Sequence, residues 1–226
     1  MKKLKYIFLL AGALSLASCE SWLDEDPQYT INTKTQFSTV ENAKQALMGC
    51  YGYMSADNAY GQAWQEVTFG YCGFGWSQTN GSSTDLLVSM DGGIDETINT
   101  MAWRGMYKVI GETNAFIANI ADSPLESADK LPMEAAARFL RALAYYNLAV
   151  TYGDVPLKTT PSAHDGVAVP RSPKNEVFEL VRTDWEFAYE NLPEKDDDGF
   201  ATKWAAKAYL GKLYHCLLYT SDAADE

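Results

Sequence analysis

Apolar residues recur at helical spacing along most of this chain, and the breaks in that rhythm divide it into segments. Ala43, Leu47, Cys50, Tyr51 and Met54 follow at three- and four-residue steps and predict a first helix. Ser38-Thr39-Val40-Glu41 ahead of it fits a capping box, with Ser38 as N-cap and Glu41 reaching back to its amide. From Ser55 to Gly93 the period vanishes. Seven glycines lie there, with Tyr60, Trp64, Phe69, Tyr71, Phe74 and Trp76 among Asn, Gln, Ser and Thr. Irregular connections of that length are uncommon and more often functional than not.

Helical spacing then returns. Trp103, Met106, Tyr107, Ile110, Ile117 and Ile120 predict an amphipathic helix over 97–121, closed by Asp122-Ser123-Pro124. Pro132 suits a first turn, so the next helix is predicted from Met133 to Tyr152, with Gly153 at its C′ position. Only Glu134, Arg138 and Arg141 carry charge in it, which marks it as the central helix. Pro156, Pro161, Pro170 and Pro173 make 154–173 a loop. Ser172 and Pro173 read as N-cap and N1 of another helix, whose face carries Val177, Leu180, Val181, Trp185, Ala188 and Leu192. After an acidic turn from Glu194 to Gly199, a last helix opens near Thr202 with Trp204, Ala205, Ala208, Leu210 and Leu213. The fold class is mostly α. Its helix–loop–helix rhythm predicts tetratricopeptide-like antiparallel pairs, although the strict repeat consensus is absent.

Both ends carry other signals. Three lysines precede an apolar run from Tyr6 to Ala17, the n- and h-regions of a signal peptide. The run is too short to cross a ~30 Å hydrocarbon core. Leu16-Ala17-Ser18-Cys19 looks like the lipobox of bacterial lipoproteins. Residues 1–18 are therefore expected to be removed and Cys19 to be lipidated, with two or more acyl chains giving a stable anchor. Residues 19–36 read as a tether. Its Asp24, Glu25 and Asp26 fit either a solvated linker or a surface-sorting patch of lipoproteins of the Bacteroidetes. At the other end, residues 216–226 do not continue the helical period. One back-translation of them resembles a transposase adapter from sequencing libraries. They are expected to be translated adapter that interrupts the last helix, leaving 37–215 as the N-terminal part of a larger domain.

Composition then narrows the chemistry. Thirty acidic against 18 basic residues give a net charge of −12, opposite in sign to a nucleic-acid binder. Two histidines leave little for His-based metal sites or catalytic triads. Six Trp and 14 Tyr exceed what a core of this size needs, which points to a binding surface. With Cys19 lipidated and Cys216 in the adapter segment, Cys50 and Cys72 remain. Either a disulfide or two buried thiols fits an exported protein.

The motif Glu134-Ala-Ala-Ala-Arg138-Phe139-Leu140-Arg141-Ala142-Leu143-Ala144-Tyr145-Tyr146-Asn147-Leu148, followed by Tyr152-Gly153-Asp154-Val155-Pro156-Leu157, resembles the central block of the SusD/RagB family. Cys19-Glu-Ser-Trp22-Leu23-Asp24-x-x-Pro27, Trp103-x-x-Met106-Tyr107-x-x-Ile110-x-x-x-Asn114, Arg171-Ser172-Pro173 and Lys203-Trp204-Ala205-Ala206-Lys207-Ala208-Tyr209-Leu210 resemble other family elements in order. The resemblance implies a truncated SusD-like fold and an outer-membrane surface lipoprotein. Such a protein binds glycans, or another nutrient such as peptides, and caps a SusC-like TonB-dependent transporter. It also implies no catalysis and no cofactor. Arg138 and Arg141 lie three apart on an apolar helix and need partners, and Asp154 is near enough in sequence to be one.

Sugars present a C–H face and a rim of hydroxyls, so a glycan site needs flat rings beside planar polar groups. In the segment 55–93 the candidates are Trp64, Tyr71, Phe74 and Trp76, with Gln78, Asn80 and Asp85; Trp76 is expected to stack on ligand and Asn80 to hydrogen-bond to it. A glycosidase needs two carboxylates at a defined separation. The clustered acids Asp91/Asp95 and Asp196–Asp198 lie on turns, where solvated charge is ordinary, and Asp196–Gly199 lacks the spacing of a calcium loop. A purely structural scaffold is the other competitor.

Overall fold

Each stretch of helical periodicity folds as a helix, and its limits are set by whichever group can satisfy the terminal amides and carbonyls. The computed structural model describes residues 33–70, 72, 75, 88–90, 97–161 and 169–222, with the side chains of 33, 34 and 219–222 excepted. After the short α1 (Thr33–Gln36), α2 spans Val40–Ser55. Its N-cap is Thr39, not Ser38: Thr39 Oγ1 accepts from Asn42 N at 3.3 Å, while the Ser38 hydroxyl is used on the Thr35 carbonyl at 2.7 Å. The first part of the expected irregular segment is regular. A π-helical turn, Asp57–Gly61, leads into α3, Ala63–Gly70. The mixed polar and aromatic sequence hid the short period there.

The long helix α4 covers Thr97–Ala121, as the spacing predicts. Its partner α5 covers Ser127–Tyr152 and starts six residues ahead of the expected Met133. Pro132 is therefore inside the helix, where it offers no N–H to the Ala128 carbonyl. Lys130 secures this early start by donating to the carbonyls of Ala121 (3.1 Å) and Ser123 (2.5 Å) at the end of α4. At the far end Gly153 adopts φ +74°, which favours glycine, and its N–H reaches the Ala149 carbonyl at 3.1 Å. A crossover follows, in which β1 (Val155–Pro156) and β2 (Arg171–Ser172) pair antiparallel. Then come α6, Lys174–Asn191, and α7, Lys203–Asp222. The expected interruption of the last helix at residue 216 is absent from α7, since Cys216-Leu-Leu-Tyr holds no breaker; among the described side chains Leu213 is nevertheless the last one buried.

Side-chain pairs fix the packing as antiparallel. Along α5 and α6, Phe139 O accepts from Trp185 Nε1, and further on Tyr146 meets Phe178, so one number rises as the other falls. Between α6 and α7, Trp185 stacks near Tyr209 and Tyr189 faces Lys207. Between α4 and α5, Trp103 meets Tyr152 edge-on. The tetratricopeptide-like pairing thus holds. As predicted, α5 is central: fifteen of its residues are buried, Met133 to Ala149 nearly without a gap.

Two features give direct tests. A Cβ on Gly105 of α4 would lie 1.9 Å from the Asn58 carbonyl oxygen in the π-helical turn. Gly105→Ala is expected to lower stability by about 1–3 kcal/mol, read by denaturant melts, because backbone must move; an unchanged midpoint contradicts this close approach. Cys50 and Cys72 are both free thiols, Cys50 buried and Cys72 exposed, so neither the disulfide nor the pair of buried thiols is realised. Burial, reinforced by Glu112, pushes the Cys50 thiol up to about 12. Cys50 should therefore resist thiol reagents at pH 8 in the folded protein and react once it is denatured, while Cys72 reacts in both states.

Candidate functional site

The end of α5 and the start of α4 lie together at one end of the array. The Tyr152 hydroxyl donates to the Asn99 carbonyl at 3.3 Å, so the end of α5 lies beside the start of α4. The crossover 153–173 leaves α5 there, and the aromatic-rich segment rejoins the described chain there at Thr97.

A buried polar cluster holds the crossover in place. Arg141 donates from Nε and Nη2 to the two oxygens of Asp184, each at 2.8 Å, and from Nη1 to Asn114 Oδ1 at 2.9 Å. Arg141 is 5% and Asp184 0% exposed, so the fork joins α5, α6 and α4 inside the core. Asn114 then passes its amide to the carbonyls of Lys158 (2.9 Å) and Thr160 (3.3 Å) on the crossover. Tyr145 adds a reciprocal pair with the backbone of Lys158, accepting from its N–H at 2.6 Å and donating to its carbonyl at 2.8 Å. Tyr107 donates to the Pro156 carbonyl at 2.7 Å. Burial, then the neighbouring Tyr145, push the Tyr107 hydroxyl well above the usual phenol range, which keeps it a donor at any physiological pH.

This arrangement corrects the expected role of Asp154. Its carboxylate does not reach the arginines; Oδ1 accepts from Lys174 N at 2.8 Å and so caps α6 from a distance, the role expected of Ser172. Arg138 pairs instead with Glu134 one turn back (Nη2, 2.6 Å), approaches Asp184 at 3.6 Å and lies over the Phe187 ring. Asp184 was legible as a carboxylate on the apolar stripe Val177, Val181, Asp184, Ala188, a pattern that calls for a buried cation.

The predicted ligand residues divide. Trp64 is 6% exposed and belongs to the core beside Tyr60, so α3 turns its ring away from solvent and toward packing. Tyr71, Phe74, Trp76, Gln78, Asn80, Asp85 and the lipidation candidate Cys19 lie outside the described residues, as do Asp91 and Asp95. The acidic turn is internally satisfied: Asp196 Oδ1 accepts from Asp198 N and Phe200 N, and Asp198 pairs with Lys44 at 3.2 Å. A cleft of about 60 Å³ beneath it, lined by Leu47, Met133, Leu192 and Phe200, is far below the roughly 300–1,000 Å³ of ligand pockets. Among the described residues no cluster of His, Cys, Asp and Glu is arranged to hold a metal ion.

A family model described as "Starch-binding associating with outer membrane" matches residues 21–215. The chain belongs to the SusD-like family. The SusD-like protein P25 of Formosa agariphila is 25% identical over 223 residues, covering 92% of this chain and 42% of the relative. A SusD superfamily structure from Bacteroides thetaiotaomicron superposes with a TM-score of 0.71 at 24% identity, over 83% of this chain and 44% of that one. A structure solved with a xylogluco-oligosaccharide gives 0.68 at 26% identity, over 76% and 34%. The chain spans only 39–45% of the length of the curated SusD-like relatives it matches. The block that carries the resemblance, Arg138 to Pro156, supplies the arginines and the Tyr-Gly-Asp-Val-Pro crossover just described.

The fork is testable by stability. Arg141→Ala strands the Asp184 carboxylate in the core and is expected to remove about 3–5 kcal/mol. Lys195→Ala, which opens an exposed pair with Asp197, should change stability by less than about 1 kcal/mol. Similar losses from the two substitutions in urea melts would contradict the central role of the fork.

Proposed function

We propose that this protein binds glycans at the cell surface and passes them to a SusC-like TonB-dependent transporter, held to the outer membrane by lipid on Cys19 and facing the exterior. It needs no catalytic group or cofactor for that task. The observation that carries the reading is the family match over 21–215, joined by 26% identity to a relative solved with a xylogluco-oligosaccharide. The clustered acids add no support for hydrolysis: the turn at Asp196–Asp198 is tied into its own backbone and to Lys44.

Ligand contact is assigned to the aromatic-rich segment that leaves α3 after Gly70 and returns at Thr97, with Trp76 as the stacking ring and Asn80 as a hydrogen-bonding group; Tyr71 and Phe74 flank them in sequence. Trp64 anchors the root of that segment. Titrating full-length protein with xylogluco-oligosaccharide by calorimetry tests this reading. Trp76→Ala should weaken binding about tenfold, near 1.4 kcal/mol, with the melting temperature unchanged. Trp64→Ala should instead lower the melting temperature, by the few kcal/mol of a vacated core site. Unaltered affinity in Trp76→Ala removes that ring from the site, and binding of peptides but of no glycan would replace the ligand class.

A further inference from the structure

Residues 45–103 contain no Lys, Arg or His, although the chain as a whole has 18 Lys and Arg. The same stretch holds six acids, Asp57, Glu66, Asp85, Asp91, Asp95 and Glu96. It comprises most of α2, the π-helical turn, α3 and the whole aromatic-rich segment to which ligand contact is assigned. A sugar bound by this stretch meets carboxylates, amides and rings, and no cation from it. Uronates and sulfate esters are repelled by such a surface, whereas hydroxyls donate to its carboxylates and exchange hydrogen bonds with its amides.

Helix α3 gives part of that stretch a defined surface. Ala63, Trp64, Val67 and Gly70 are buried, while Gln65 and Phe69, one turn apart, are both exposed on the other side. Gln62 and Glu66 form a second such pair beside them, in which Gln62 Nε2 donates to Glu66 Oε1 at 2.7 Å. Gln65 Nε2 donates to the Tyr60 carbonyl at 2.5 Å, which sets the plane of its amide. Phe69 is 58% exposed. The chain nevertheless holds it in place: its carbonyl accepts from Cys72 N at 3.3 Å, and a Cβ on Gly75 would lie 3.2 Å from its ring atoms Cδ1 and Cε1. A single exposed ring is ordinary on a protein surface. Here the ring is held, and oriented amides and a carboxylate share its side of the helix.

We propose that the outer face of α3, made by Phe69, Gln65 and the Gln62–Glu66 pair, is a subsite for an uncharged pyranose. The phenyl ring takes the apolar C–H face of the sugar, and the amides and the Glu66 carboxylate take hydroxyls on its rim. Because these groups stand on a regular helix, little ordering remains for the ligand to impose. The subsite rests on the glycan-binding reading and narrows it to neutral glycans.

Calorimetry on full-length protein tests it, with xylogluco-oligosaccharide and laminari-oligosaccharide as neutral probes and oligogalacturonate as the acidic one. At least one neutral probe should bind, with an affinity that added salt leaves unchanged, and oligogalacturonate should bind more weakly. Phe69→Leu keeps an apolar side chain against Gly75 but removes the flat ring, and should weaken neutral binding about tenfold. Phe69→Tyr should bind as wild type does. If Phe69→Leu also lowers the melting temperature, Gln62→Ala on the exposed side decides instead: a loss of about tenfold supports the subsite and no loss overturns it. Equal affinity in wild type and Phe69→Leu overturns the subsite, and tighter binding of oligogalacturonate than of either neutral probe overturns the neutral class. In both cases the bound oligosaccharide leaves the broader glycan reading standing. Binding of none of the three probes overturns that reading and the subsite together.

Discussion

The Arg141–Asp184 fork is the contact on which the rest of this structure depends, because it joins three helices and the crossover in a single hydrogen-bonded unit. Two charges taken out of water are stable only when geometry and extra hydrogen bonds offset their lost hydration. Here both carboxylate oxygens are matched by a planar fork, and the remaining guanidinium nitrogen is matched by Asn114. Alternative registers of α5 against α6 would bury an unpaired charge, so the fork selects one register as well as holding it. Through Asn114 the same unit fixes the backbone at Lys158 and Thr160, which would otherwise have to find water inside the packed array.

That fixed crossover has a consequence at the surface. Gly153 turns the chain out of α5, Asp154 caps α6, and β2 brings Arg171 back over Trp103. Irregular chain is thereby carried with the definition of regular structure, which is the general condition for a loop to display function. The acidic turn between α6 and α7 is tied down in a similar way, by its own amides and by Lys44.

Much of the fold was legible in the chain. Helix α4 fell on 97–121 from spacing alone, α5 announced itself as central by carrying almost no charge, and Gly153 marked its end. Boundaries were less legible where a distant group supplies the cap. The start of α5 is secured by Lys130 reaching back to α4, and that of α6 by Asp154 across the crossover, neither of which local propensity records. The π-helical turn was not legible because it packs where Gly105 admits the Asn58 carbonyl, a close approach visible only between elements.

Sequence by itself determined the α class, the order and central member of the helices, the family, and the residue types from which a glycan site is made. Those properties follow from local periodicity and from motifs read along one dimension. Tertiary structure alone decided which carboxylate answers Arg141, that Trp64 is a core residue while Trp103 is only half-buried, and that Arg171 returns over the Trp103 ring. Partnership and exposure are set by distances between segments far apart in the chain. Asp184 is 43 residues from Arg141 yet touches it, while Asp154, 13 residues away, faces elsewhere.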